Sequence, residues 1–208
     1  LQARWLRAWD RRTADRVQRW LPISTEVRQR LLNWYQVPAG RTTIVFPPVD
    51  VQRFAGAGQL PAPSGLQTGG YDLVLSALVP YKRIDLAITA AVRAGRTLVV
   101  AGKGPERPRL ERLAAETRGS GRVIFAGAVP DADLPALYGH CRAFLFPGLE
   151  DFGITPLEAT AAGRPVVAYR AGGALDTVRE GLNGVFFAEQ STAALAAALA
   201  DPRLDGAW

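Results

Sequence analysis

From Tyr71 onward, short and nearly continuous apolar runs alternate with longer segments whose apolar residues recur at three- and four-residue steps. The runs Tyr71–Leu78, Thr97–Ala101, Val123–Phe125, Ala143–Phe146, Val166–Tyr169 and Val185–Phe187 predict six strands. The segments 82–94, 106–117, 132–140, 156–162, a short piece around 174–179, and 191–199 predict helices. Strands that are apolar throughout are buried on both faces, and strands separated by helices pair in parallel. The expected fold class is therefore α/β, a Rossmann-like doubly wound parallel sheet over residues 71–200. Its ligands are expected at the carboxyl ends of the strands.

The pattern differs ahead of Tyr71. Trp5, Leu6, Trp9, Thr13, Val17 and Trp20 share one helical face and predict a helix over 3–20. Ser24 or Thr25 suits the N-cap of a second helix reaching about Tyr35. Thr42–Phe46 reads as a strand stopped by Pro47 and Pro48. Residues 55–70 are dense in Gly, Pro, Ala, Ser and Gln and read as a linker or exposed loop.

Composition narrows the chemistry. Nearly half of the 208 residues (48%) are hydrophobic, enough for a core and against disorder. No apolar run approaches the roughly 20 residues of a membrane span, and no signal-peptide pattern opens the chain. One cysteine, Cys141, excludes an internal disulfide, and one histidine, His140, argues against a metal site. The absence of methionine reads as a chain lacking its natural start.

The charge of +6 is unevenly placed. Residues 1–34 hold eight arginines against Asp10, Asp15 and Glu26, a net of +5. Two readings fit this basic, Trp-rich segment. It rests on an anionic membrane surface, or its Arg face is simply solvated while the Trp stripe packs inward. Nucleic acid is not expected, since no binding motif accompanies the charge.

The special residues fall in the loops after the strands. Gly102-Lys103-Gly104 follows the second strand and fits either a ligand-approaching turn or an ordinary tight βα turn. After the fourth strand runs Pro147-Gly148-Leu149-Glu150-Asp151-Phe152-Gly153-Ile154-Thr155-Pro156-Leu157-Glu158. Gly153 permits close backbone approach, and Pro156 suits a first helical turn. The amides of about Ile154, Thr155 and Leu157 then point out of a helix start, ready for a phosphate. Two carboxylates flank that start. Like charges repel, so they do not hold the phosphate, but they accept hydrogen bonds from hydroxyls on either side of it.

This string resembles the glutamate, seven residues, glutamate signature of retaining glycosyltransferase family 4. Further matches follow in order: Leu78–Asp85, Val99–Glu106, Val123–Val129, Gly163–Ala168, Ala171–Gly173 and Glu180–Gly184. The resemblance covers roughly 71–200 and implies the C-terminal, donor-binding domain of a GT-B fold. Residues 1–54 would then be a remnant of the N-terminal acceptor domain with the crossover, and 201–208 a truncated tail.

The implied activity is transfer of a hexose, mannose first, from a GDP- or UDP-linked sugar. The acceptor would be a lipid-linked or polysaccharide one, and configuration would be retained. The resemblance implies no metal and no cofactor beyond the nucleotide-sugar substrate. Lys82 would pair with the diphosphate and Glu150 with the transferred sugar, as the catalytic residues. Glu158 would take the ribose hydroxyls, while Phe152, Gly153, Ile154 and Thr155 present backbone to the diphosphate and sugar. Gly102 and Lys103 line the second loop, and Val129 and Asp131 meet the base. Asp131 fits equally as the N-cap of the helix at 132–140.

One departure stands out. Where the family carries an arginine in its first loop, this chain has Ala77, and Arg83 is the nearest replacement. The alternative reading is a non-catalytic nucleotide-sugar-binding fragment that lacks the acceptor domain, binding nucleotide without transfer. The expected location is cytoplasmic, at the inner face of the membrane.

Overall fold

The computed structural model describes residues 2–206 and 208. The side chains of residues 2–4, 7 and 8, including Arg4 and Arg7 of the basic segment, lie outside the described residues. The chain divides into two compact units, Leu1–Pro48 and Val49–Trp208. The division thus falls after Pro48 rather than after residue 54.

In the first unit, α1 spans Gln2–Ala14 and α2 spans Thr25–Tyr35. Ser24 caps α2, its hydroxyl accepting from the Val27 amide at 3.0 Å. The expected helix over 3–20 ends at Ala14, where the Arg16 and Val17 amides turn to the Thr13 and Ala14 carbonyls, and Trp20 lies beyond it. Its amide donates to the Arg41 carbonyl and its carbonyl accepts from the Thr43 amide, a parallel bridge at Thr42. That bridge, with a bond from Val45 to Pro22, replaces the strand expected over 42–46. Trp5, Trp9 and Trp34 are each more than half exposed, so the Trp stripe does not pack inward. No helix among the described residues is long and apolar enough to cross a membrane.

The second unit opens with α3 (Val51–Phe54) and then builds the expected alternation. In chain order it runs β1 (Asp72–Leu75), α4 (Ile84–Arg93), β2 (Thr97–Ala101), α5 (Arg107–Glu116), β3 (Arg122–Gly127), α6 (Leu134–Gly139) and β4 (Ala143–Phe146). It continues with α7 (Ile154–Ala161), β5 (Val166–Tyr169), α8 (Ala174–Thr177), β6 (Gly184–Phe187) and α9 (Thr192–Leu199). All pairings are parallel and the sheet order is β3-β2-β1-β4-β5-β6. Leu86, Leu110 and Leu195 from α4, α5 and α9 cover one face of the sheet, against Val74, Val100 and Val167. Leu137, Tyr138 and Ala159 from α6 and α7 cover the other, against Leu73, Phe144 and Val166.

Residues 55–70 are not a free linker. Phe54 and Ala57 are buried in the second core cluster. His140 pins the rest: one ring nitrogen lies 2.7 Å from the Leu60 carbonyl and the other 2.7 Å from the Thr68 hydroxyl. Because a carbonyl only accepts, Nε2 carries the proton towards Leu60. The Pro- and Gly-rich composition signalled irregular backbone rather than a lack of packing. The segment after residue 200 is also anchored, since Leu204 is buried against the α4–α9 core.

Candidate donor site

In a doubly wound sheet, the ligand crevice lies where strand order reverses. Here that point is between β1 and β4, which are neighbours although two strands intervene in sequence. The loops leaving their carboxyl ends carry Lys82 and Glu150, and the two side chains meet. Lys82 Nζ lies 2.5 Å from Glu150 Oε1, with 14% and 18% of the side chains exposed. Lys82 ends a 3-10 turn, Pro80–Lys82, and its ammonium sits 5.1 Å from the Tyr81 ring centroid.

The same β4 loop leads into α7. Gly153, at φ 104°, is its N-cap, in a region that favours glycine. A Cβ there would also crowd the Phe146 ring at 3.1 Å. Phe152 and Gly153 are buried, while Ile154 is exposed and Thr155 half-buried. The amides of Ile154 and Thr155 belong to a first turn with no intrahelical acceptors and carry the positive end of the helix dipole, whereas Leu157, the fourth helical residue, has the Gly153 carbonyl at its i−4 position.

One helical turn inside α7, Glu158 is fixed by a residue that sequence reasoning missed. Tyr138 Oη donates to Glu158 Oε2 at 2.8 Å. Burial, followed by the nearby Glu158 carboxylate, pushes the Tyr138 phenol far above its ordinary pKa, so it stays a donor. The Tyr138 ring is wedged between Phe54 and Phe144, at 5.6 and 5.4 Å between centroids. No other protein donor to this carboxylate is present among the described residues, so Oε1 can accept from a ligand. Nothing in the local pattern of α6 marks Tyr138, because the contact joins two helices 20 residues apart.

The other expected residues divide. Arg83 turns away and pairs with Asp85 at 3.2 Å, so it does not replace the cation missing at Ala77. Gly102 is glycine for packing, since a Cβ there would overlap the Ser76 carbonyl oxygen. Its amide is used as well, donating to the Gly127 carbonyl at 2.6 Å. Lys103 is exposed beside the β1 loop, its carbonyl accepting from the Leu78 amide at 2.9 Å, and no carboxylate pairs with it among the described residues. Asp131 is not the N-cap of α6, a position held by Asp133. Its side chain is exposed, and its carbonyl accepts from Arg53. Val129 borders a cavity of about 580 Å³ that Leu66, Val99, Ile124 and Leu137 also line.

A six-stranded parallel sheet in this order, with a cation, a carboxylate and a helix start on the loops at its switch point, is the architecture of the C-terminal domain of a GT-B glycosyltransferase. The chain belongs to the family described as glycosyl transferases group 1, which matches residues 66–202. It is 34% identical over 178 residues to a GDP-mannose-dependent α-(1-6)-phosphatidylinositol monomannoside mannosyltransferase of Mycolicibacterium smegmatis, covering 76% of this chain and 47% of the relative. It is 33% identical over 186 residues to a D-inositol 3-phosphate glycosyltransferase of Acidothermus cellulolyticus, covering 81% and 40%. Sucrose-phosphate synthase of Thermosynechococcus elongatus superposes with a TM-score of 0.78 at 25% identity, over 93% of this chain and 52% of that one. The chain therefore spans about half the length of the relatives it matches.

Proposed function

We propose that this chain supplies the donor half of a retaining hexosyltransferase of family 4. Its donor is a nucleoside diphosphate hexose, GDP-mannose first. Its acceptor is a lipid-linked or polysaccharide glycan. The observation that carries the reading is the convergence of Lys82, Glu150 and the α7 start at the sheet's switch point. The mannosyltransferase relatives, named for GDP-mannose, favour that donor over a UDP-linked one.

In this reading the diphosphate lies across the α7 amides with Lys82 beside it. Lys103, the unpaired cation of the neighbouring loop, supplies the charge that Ala77 lacks. Lys82 and the helix dipole stabilise the leaving diphosphate, an electrostatic strategy that needs no metal. Glu150 accepts from hydroxyls of the transferred hexose, and Glu158 Oε1 from the ribose. Val129 and Asp131 meet the base beside the cavity. Family membership favours a transferase over a module that only binds.

A thermal-shift panel of GDP, UDP and their sugars on the 208-residue chain tests the donor site, since a ligand of the native state raises stability. GDP-mannose is expected to give the largest shift, and a panel with no shift at high concentration overturns the reading. Glu158→Ala should weaken GDP binding roughly tenfold or more, the loss of a hydrogen bond to a charged group. Tyr138→Phe should weaken it less, because the Glu158 carboxylate is retained and only the hydrogen bond that orients it is lost. An unchanged GDP affinity in Glu158→Ala would remove the ribose role.

Location at the anionic inner face of a membrane, in the cytoplasm, is part of the same proposal. Its support is the pairing of exposed Trp5, Trp9 and Trp34 with a net +5 over residues 1–34. Co-sedimentation with vesicles rich in anionic lipid, and not with neutral ones, is the expected result. Equal partitioning to both would argue against it.

A further inference from the structure

The Lys82–Glu150 pair has a consequence for binding, and it rests on the donor reading just given. Both partners are mostly buried, and neither can be drawn back by an easy backbone movement. The Glu150 carbonyl accepts from the Gly173 amide at 2.7 Å. The Gln190 side-chain amide donates to the Pro147 carbonyl at 2.9 Å. At Gly148 the loop passes so close to the β1 loop that a Cβ would stand 2.9 Å from the Lys82 Cα. At Gly172 and Gly173 a Cβ would overlap the Glu150 carbonyl oxygen and the Phe152 backbone. The carboxylate is therefore held against the ammonium by a loop clamped on both sides.

An incoming diphosphate has to take Lys82 away from Glu150. Once it has done so, a largely buried carboxylate is left beside a multiply charged anion, and no other cation pairs with Glu150 among the described residues. Uncompensated charge in such a place is strongly unfavourable. A sugar attached to the diphosphate relieves it, because sugar hydroxyls donate to the carboxylate. A bare nucleoside diphosphate has no group to offer there.

We propose that the Lys82–Glu150 pair is a counter-charge lock that discriminates intact nucleotide sugar from sugar-free nucleoside diphosphate. The donor opens the lock and satisfies both halves. When the sugar has been transferred, Glu150 loses its hydroxyl partners, reclaims Lys82 and weakens the hold on the leftover nucleotide. Glu150 is thus a specificity residue against the product as well as a contact to the sugar.

The test is calorimetric titration of GDP, UDP, GDP-mannose and UDP-glucose into the wild-type chain and into Glu150→Gln, which keeps the shape and removes the charge. Glu150→Gln should bind the sugar-free diphosphate about tenfold tighter, while its affinity for the nucleotide sugar stays level or falls. The ratio of the two affinities should therefore shift by at least tenfold toward the product. Glu150→Ala removes the same charge with a smaller side chain and should shift the ratio in the same direction, which guards against a folding defect peculiar to one variant. Wild-type binding of nucleotide sugar with no tightening for the bare diphosphate in either variant overturns the lock and leaves the donor site standing. Failure of every nucleotide to bind the wild type overturns both.

Discussion

Asp72→Ala is expected to destabilise the second unit by about 3–5 kcal/mol, the cost of leaving a buried charge without its partner. Asp72 is the first residue of β1 and is fully buried. Its oxygens accept from Arg142 at 2.9 and 3.2 Å and from Arg96 at 2.9 Å. Arg142 is itself almost fully buried and has further contacts at 3.3 Å to the Leu199 carbonyl and to Asp205. Truncating Asp72 removes the two shorter-range carboxylate contacts and leaves the buried guanidinium with only the 3.3 Å contacts to the Leu199 carbonyl and to the exposed Asp205. Arg96→Ala should cost far less, about 1 kcal/mol, since Arg96 is part-exposed and water replaces its contact. Urea unfolding of the two variants checks the difference. The double change Asp72→Leu with Arg142→Met should recover much of the loss, because an apolar pair of similar volume carries no desolvation penalty. The cluster sits at the amino end of β1, away from the crevice, so folded Asp72→Ala protein should bind nucleotide as wild type does. An Asp72→Ala loss no larger than that of Arg96→Ala would show that Arg142 finds water or another acceptor.

The contrast between this cluster and the sheet shows what a sequence makes legible. The strands Thr97–Ala101, Ala143–Phe146 and Val166–Tyr169 stand where the apolar runs predict them. Burial on both faces leaves polar residues nowhere to sit. Asp72 breaks that rule inside a predicted strand, and its pairing with Arg142, 70 residues on, and with Arg96 explains it. Glu150, Glu158 and the α7 start were legible because one contiguous string holds them. Their partners were not. Lys82 reaches Glu150 only because β1 and β4 are neighbours, and strand order is not written in the alternation of strands and helices. Tyr138 looks like any core aromatic until α6 and α7 are packed together. The helix expected over 3–20 had the right period but ends at Ala14, and Trp20 beyond it bridges to Thr42. Period alone does not mark where a helix ends.

On the proposed donor reading, Lys82→Ala in an enzyme that contains this donor half should lower sugar transfer by about 10²–10³, the usual loss when one preorganised charge-stabilising group is removed. Its effect on binding is more discriminating. Under the proposed lock, part of the attraction between Lys82 and a diphosphate is offset by breaking its pair with Glu150. Removing Lys82 from the wild type should therefore weaken GDP binding only modestly, by about tenfold. In the Glu150→Gln background the ammonium has no rival, so the same change should cost about a hundredfold, within the range of a hydrogen bond to a charged group. The difference is the coupling energy of the pair, about 1.4 kcal/mol for a factor of ten, and a double-mutant cycle isolates it. Equal losses in both backgrounds would mean that Lys82 meets the diphosphate without leaving Glu150. A larger loss in the wild type would mean that Glu150 holds the ammonium in place for the ligand instead of competing for it. The sign of the coupling thus decides whether the carboxylate at the switch point supports the cation or opposes the anion.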